Sequence, residues 1–337
     1  MLIRLCQISA ACLLSTAGAT LSHADPTALS QAPSNGQQYY TWASCADANG
    51  SPINTGYDNF SPSTTSYVTA VQWRGNYVAY PNVPNNNPVG PDTTAFTVSF
   101  LTDDNGHPGA VLASHTINDA DCHPQSLGTL SGFQYVNGGG GYTITYYSYR
   151  AVLPTPFAVA AGQKYWISIV GILSQDNVAW AWYSSGGAND GSSLQDLHDG
   201  NPAVSRQFNR TFTLEGVPSA FLVGDVPLDN GVYYLSFPNG NFFGYYSYLA
   251  DPHYLYHFDL GYEYVFDAQD GKGGVYLYDF QSGSYFYTSP SFPFPYLYDF
   301  NLGTTLYYYP DPNNTGRYNT NGVRYFYNFS TGQIITK

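Results

Sequence analysis

The side chains of this chain that could do chemistry form no arrangement that spells out a reaction. Past the first 24 residues the histidines His107, His115, His123, His198, His253 and His257 are scattered, without the HExxH spacing that holds zinc on a helix. No G-x-S-x-G elbow presents a serine nucleophile. Glu215 and Glu263 are the only glutamates, so a Glu–Glu glycosidase pair would have to bridge two distant parts of the chain, although Asp pairs remain available. Asp103, Asp104 and Asn105 ahead of Gly106 could offer oxygens to Ca²⁺. The full Ca²⁺ loop with its closing bidentate Glu is missing, and the same residues make an ordinary Asp-Asn-Gly hairpin turn. Asp119, Asp121 and His123 flank Cys122, as either a polar loop beside a disulfide or a metal site would have them. His253 and His257 would share one side of a strand, a metal pair lacking a third ligand and more simply two surface residues. No catalytic set and no cofactor beyond the Ca²⁺ option is assigned.

Those residues depend on elements that the sequence marks more plainly. From Tyr233, Tyr254, Tyr276, Tyr296 and Tyr325, one phrase recurs: Tyr, two hydrophobic residues, a polar residue, Phe, two variable residues, Gly. The Phe falls at Phe237, Phe258, Phe280, Phe300 and Phe329, and the Gly at Gly240, Gly261, Gly283, Gly303 and Gly332. Successive copies are 21, 22, 20 and 29 residues apart, a period that signals an array of small units. Alternation puts Tyr296, Tyr298 and Phe300 on one face and Leu297 and Asp299 on the other. Residues 301–303 make a short turn and Thr304 to Tyr309 return antiparallel, so each copy is one β-hairpin. A lone hairpin is marginal in water, and the five should stack side by side on a shared aromatic core, with the repeated Phe as packing residues. Tyrosine hydroxyls want water or a partner, so many of the tyrosines must face outward. Tyr256, Tyr278, Tyr298, Tyr308 and Tyr327 are the candidate ligand-binding residues, because exposed rings near Asp and Asn suit sugars or a protein partner. A solvated tyrosine-coated sheet without a ligand is the bland alternative.

Residues 1–24 read as a secretory signal, with Arg4 as the positive region, an apolar stretch from Ile8 to Leu21, and cleavage near Ala24. Its removal takes Arg4 and no acid from a chain whose formal net charge is already −13. An acidic exported protein makes a poor ligand for nucleic acid or anionic membranes, and no later segment is long and apolar enough to insert as a helix. The expected location is extracellular or periplasmic. Cys6 and Cys12 leave with the signal, and Cys45 and Cys122 are expected to form a disulfide, closing a loop of about 77 residues for about 4 kcal/mol.

Residues 25–38 are Pro-, Ser-, Gln- and Ala-rich and read as a flexible leader. From 39 to 216, period-two segments such as Tyr67–Trp73, Phe96–Phe100, Tyr142–Tyr149, Tyr165–Val170, Val178–Trp182 and Phe208–Leu214 alternate with turn clusters at 85–91, 103–109 and 138–141. That pattern predicts an antiparallel β-sandwich. Residues 217–230, with Pro218 and Pro227, read as a linker to the repeats at 231–337. The fold class is therefore all-β throughout.

The succession Trp73-Arg-Gly-Asn-Tyr, Phe96-Thr-Val-Ser-Phe, Asn105-Gly-His-Pro-Gly-Ala, Leu153-Pro-Thr-Pro-Phe, Ala161-Gly-Gln-Lys-Tyr-Trp-Ile-Ser-Ile, Trp180-Ala-Trp and Arg210-Thr-Phe-Thr-Leu resembles a jelly-roll-like sandwich of secreted bacterial proteins, over residues 60–216. Many of those end in a sorting signal, where this sequence continues into repeats. The repeats are similar to the tyrosine-rich hairpins of bacterial cell-wall-binding modules, which usually carry Trp; here all five Trp precede residue 183. The repeated aromatic phrase without a catalytic signature makes the expected function that of a secreted, non-catalytic binding or cell-surface-associated protein that contacts glycan or cell envelope through exposed Tyr. A polysaccharide hydrolase using Asp residues, and a structural protein that self-associates through edge strands, are the competing readings.

Overall fold

The structure, a computed structural model, describes residues 27–31, 41–79, 90–133, 142–175, 178–185, 190–237, 239–309 and 323–337. The expected signal at 1–24, the turn cluster at 138–141 and most of that at 85–91 lie outside the described residues. Alternating apolar and polar residues dictate strands, and the described residues form no α-helix. In chain order the first strands are β1 (Thr27–Gln31), β2 (Thr41–Ala43), β3 (Cys45–Ala46), β4 (Pro52–Phe60), β5 (Ser66–Ala79), β6 (Thr93–Asp104) and β7 (His107–Asn118). They are followed by β8 (Gln125–Phe133), β9 (Tyr142–Val159), β10 (Tyr165–Leu173), β11 (Val178–Tyr183), β12 (Ser192–Asp196), β13 (Val204–Gln207) and β14 (Phe212–Val217).

These strands build two seven-stranded sheets. One runs β1-β14-β5-β11-β2, with β9 beside β5 and β8 beside β9; the other runs β13-β12-β4-β3-β10-β6-β7. Between them lies an aromatic core that crosses the layers. Trp73, Tyr149 and Trp180 of the first sheet surround Phe96 of the second, with ring centroids 4.8 to 5.2 Å from it. The expected β-sandwich is present.

Two details differ from the sequence reading. Thr27–Gln31, read as part of an unstructured leader, pairs with β14, because Leu29 packs against the core and Gln31 donates to the Asn59 carbonyl at 3.0 Å. The expected disulfide is absent: Cys45 and Cys122 are both free, buried thiols. Cys45 is held in the strand ladder opposite Gly171 and Asn54, while Cys122 turns its Sγ toward the Ile117 carbonyl at 3.9 Å. Burial pushes the two thiols up to about 11 and about 12, so each behaves as a small apolar core residue.

The remaining strands are β15 (Val226–Pro227), β16 (Tyr233–Ser236), β17 (Phe242–Tyr248), β18 (Tyr254–His257), β19 (Gly261–Asp267) and β20 (Val275–Asp279). After them come β21 (Ser284–Thr288), β22 (Tyr296–Asp299), β23 (Thr304–Tyr309), β24 (Tyr325–Asn328) and β25 (Gln333–Thr336). They form one eleven-stranded sheet in strict sequence order. Each copy of the repeated phrase supplies the first strand of a hairpin, from β16–β17 to β24–β25. Within the segment read as a linker, Val217, Phe221 and Leu222 are buried in the core of this array.

Candidate binding surface

The hairpin turns decide which face of the array is inside. In the third and fourth copies Asp279 and Asp299 fold back on the turn. Asp299 Oδ1 accepts from the backbone N–H groups of Asn301 and Leu302 at 2.9 and 3.0 Å. Asp279 does the same for Gln281 and Ser282, and Asn328 for Ser330 and Thr331. The Gly303 N–H then reaches back to the Asp299 carbonyl at 2.8 Å, which requires φ of +65° at Gly303. His257 fills the address in the second copy, with Nδ1 accepting from Asp259 and Leu260, both at 3.1 Å.

Because these polar residues point inward, so do the hydrophobic residues two positions before them. Leu255, Leu277, Leu297 and Phe326 are these residues, and with Leu235 of the first copy they are buried in the array's core. The repeated Phe was expected there. Only Phe237 is buried; Phe280, Phe300 and Phe329 are each about half exposed, at 49%, 49% and 51%. The reason is parity. In the second to fifth copies the leading Tyr, the second Tyr and the Phe share one face and the turn gives the other face to the interior, whereas in the first copy Tyr233, Leu235 and Phe237 face inward and Ser236 outward.

Four candidate tyrosines, Tyr256, Tyr278, Tyr298 and Tyr327, stand half-buried at one address on the outer face. Tyr308 does not join them. In β23 it has the inward parity of Leu306, is buried, and hydrogen-bonds Asp259. The outward residues of that strand are Tyr307 and Tyr309.

The outer rings form a regular lattice. In each of four copies the second Tyr meets its own Phe edge to face: Tyr256–Phe258 at 5.7 Å, Tyr278–Phe280 at 5.0 Å, and Tyr298–Phe300 and Tyr327–Phe329 both at 5.1 Å. That Phe also touches the leading Tyr of the preceding copy, as in Tyr254–Phe280 at 6.0 Å, Tyr276–Phe300 at 5.6 Å and Tyr296–Phe329 at 6.2 Å. Each such contact contributes about 0.5–1.5 kcal/mol beyond area burial, so the Phe residues lock neighbouring hairpins together from outside. This role could have been read from the sequence by giving the inward side to the Asp-x-x-x-Gly turn rather than to the most hydrophobic residue.

The electrostatics are inverted relative to an ordinary surface sheet. In β18 to β25 the acids Glu263, Asp267, Asp279 and Asp299 all have inward parity and no outward position of these strands is charged; charge meets the outer rings from the loops, as where Asp270 accepts from the Tyr287 hydroxyl at 2.7 Å. Inside, Arg324 donates from Nη1 and Nη2 to Asp279 at 2.8 and 2.6 Å and from Nη1 to the Leu260 carbonyl at 2.5 Å. The Lys337 ammonium contacts Asp299 and donates to Ser284 Oγ at 2.7 Å. Burial first, then the Asp279 charge, holds the Glu263 carboxyl well above the usual range, with Arg324 opposing. Burial lowers His257 to about 4, helped by the Arg324 charge, and raises Asp259 to about 6.

The other candidates do not assemble. At the β6–β7 tip, Asn105 and Gly106 adopt φ of +53° and +86°, the geometry of a two-residue hairpin turn. Asp103 Oδ1 there accepts from Trp166 Nε1 at 2.8 Å and Oδ2 from the Gly106 N–H at 3.2 Å, while Asp104 accepts from Asn105. These oxygens do not converge as Ca²⁺ ligands. His253 pairs with Asp251 at 3.0 Å and stacks on Tyr264, whereas His257 is buried on the inner face. Asp119 accepts from Thr93 Oγ1 at 2.6 Å and Asp121 from Asn118 at 3.3 Å. Glu215 is buried against Arg150 at 2.7 Å and Glu263 lies in the array core, so the two glutamates serve separate ion networks. Among the described residues no three His, Cys, Asp or Glu side chains gather as a metal site, and no helix is long and apolar enough to cross a membrane.

A family described as a domain of unknown function (DUF7901) matches residues 28–211, more than half of the chain. The chain belongs to this family. The match spans the sandwich and stops short of the aromatic array. No curated protein and no solved structure matches the chain.

Proposed function

We propose that this is an exported, non-catalytic binding protein that contacts glycan or another cell-envelope component through the outer face of its C-terminal array. One observation carries the reading. The array presents a contiguous lattice of tyrosine and phenylalanine rings to solvent, with no charge at the outward positions of strands β18 to β25, where a sheet without a ligand needs polar side chains to stay soluble. Rings stack on the C–H faces of sugars, and the phenolic hydroxyls supply hydrogen bonds beside them. Similarity to tyrosine-rich cell-wall-binding repeats and the apparent secretory signal support the same reading.

The test is retention of the whole chain, without its signal, on insoluble polysaccharides and whole-envelope preparations. The native protein is expected to be retained, and the triple variant Phe280→Ala/Phe300→Ala/Phe329→Ala to pass through with an unchanged circular-dichroism spectrum. Absence of retention, or equal retention of both proteins, would remove the outer face from any binding role. Concentration-dependent oligomers that the triple variant abolishes would make the face a self-association surface instead.

A further inference from the structure

We infer that the ligand of this face is a neutral, flexible polysaccharide chain laid across the strands, contacted once per hairpin, and not the flat surface of a crystalline polymer. The inference rests on the glycan reading above and narrows it by charge, period and curvature.

Charge comes first. A polyanionic glycan or a teichoic-type polymer needs cations beside it; no outward position of strands β18 to β25 carries one, and the loop carboxylate of Asp270 accepts from the outward Tyr287 hydroxyl at 2.7 Å. Of the described cations of the array, Arg324 and Lys337 are turned inward onto Asp279 and Asp299, and Lys272 stands in the loop before β20, beside Asp270. Tyrosine hydroxyls leave the face able to hydrogen-bond without charge, which matches the surface of a neutral sugar.

The period sets the direction. The edge-to-face Tyr–Phe pair recurs once per hairpin, at Tyr256–Phe258, Tyr278–Phe280 and Tyr298–Phe300. Equivalent pairs are therefore displaced by two strand spacings, about 10 Å, across the strands. That is the reach of two linked hexoses, so a chain crossing the strands meets one ring pair per disaccharide.

Curvature then chooses between a flexible chain and a flat crystal face. The sheet wraps around its own core. Arg324, just before the last hairpin, reaches Asp279 and the Leu260 carbonyl of the second and third hairpins on the inner side. Phe294 meets Phe243 at 6.2 Å, and Tyr308 of β23 bonds Asp259 beside β18. The outer face is thus convex. A planar crystal can touch it over one or two hairpins, whereas a flexible chain can follow it over all four ring pairs.

The experiment is titration calorimetry of the full-length protein with soluble neutral gluco-oligosaccharides of two, four, six and eight sugars. Parallel retention assays use a soluble neutral glucan, a polyuronate and crystalline cellulose. Affinity is expected to rise roughly five-fold for each added disaccharide and then level off, with little dependence on salt. Phe300→Ala should end the rise one disaccharide earlier. Length-independent binding, salt-sensitive preference for the polyuronate, or stronger retention on crystalline cellulose than on the soluble glucan would each overturn the inference while leaving a glycan-binding face. Retention on none of these polymers or on any envelope preparation would overturn both.

Discussion

Replacing Arg324 with methionine tests whether the inner ionic network closes the array. The guanidinium is fully buried, bidentate to Asp279, and joined to the Leu260 carbonyl, so it links three of the five hairpins. Methionine keeps most of the apolar stem and gives up the guanidinium that lies over the Phe326 ring, 5.6 Å from its centroid in the native chain. What is lost is the charge, which strands the buried Asp279 beside the buried Glu263. Breaking one partner out of a buried pair costs about 3–5 kcal/mol. Against a typical denaturant slope of about 2 kcal/mol per molar urea, the array's midpoint should fall by roughly 1.5–2.5 M. The two parts of the chain can be followed separately, since all five Trp lie in the sandwich and the array carries tyrosine alone. Tyrosine near-ultraviolet dichroism should report the early transition, with Trp fluorescence changing later. The double variant Arg324→Met/Asp279→Asn provides the control. Asn328 shows that an amide can cap this turn, so the double variant keeps the cap, removes both charges, and should recover more than half of the loss. A midpoint change equivalent to less than about 1 kcal/mol, or a double variant as weak as the single one, would refute the reasoning.

Glu263→Gln should stabilise the array at pH 8 and leave it unchanged near pH 4. A carboxyl held above its ordinary value by burial contributes stability below the unfolded value and loses it as pH rises, which the amide avoids. His257 acts in the opposite sense: its folded value of about 4 lies below the ordinary 6.5, so its contribution is present above pH 6.5 and drains away as pH falls through about 4. Protonation would also displace the Asp259 and Leu260 N–H groups from Nδ1, and urea midpoints from pH 7 to 4 should show a slope that His257→Gln removes. Cys45 and Cys122 should stay unreactive toward a disulfide reagent in the native protein and both react after unfolding, with no mass change on prior reduction. A mass increase of two hydrogens on reduction would restore the disulfide.

Hairpin by hairpin, the array was legible because its punctuation is local. A Gly with positive φ closes a turn at Gly240, Gly283, Gly303 and Gly332 regardless of what the strands pack against. The period-two pattern was equally plain, and it grouped Tyr296, Tyr298 and Phe300 on one face as found. Which face is buried was not legible from hydropathy, because both faces are apolar. That choice is made by the Asp299 carboxylate reaching the Asn301 and Leu302 N–H groups, a side-chain-to-backbone bond that alternation does not report. Tyr308 was misplaced for the same reason. In the sandwich, strands with strong alternation were visible, while Thr27–Gln31 depends on its partner β14 and carries little pattern of its own. The cysteine pairing was inferred from a count of two, and the chain uses the two thiols as separate core residues.

The inversion of this sheet separates what stabilises it from what it shows to a ligand. The last three turns place a carboxylate or amide on the inner side, and once Asp279 and Asp299 are buried they demand the inward cations Arg324 and Lys337. The outward positions of strands β18 to β25 are thereby left without charge and rely on tyrosine hydroxyls for their solubility. Substitutions on the two faces should then dissociate. Phe300→Ala removes a half-exposed ring with contacts to Tyr298 and Tyr276, a loss of about 1 kcal/mol, and should weaken glycan retention severely. Arg324→Met should cost several times as much stability while leaving binding intact wherever the array remains folded. If both variants lost stability and retention in the same proportion, the outer rings would be acting as structure and the binding role would fall.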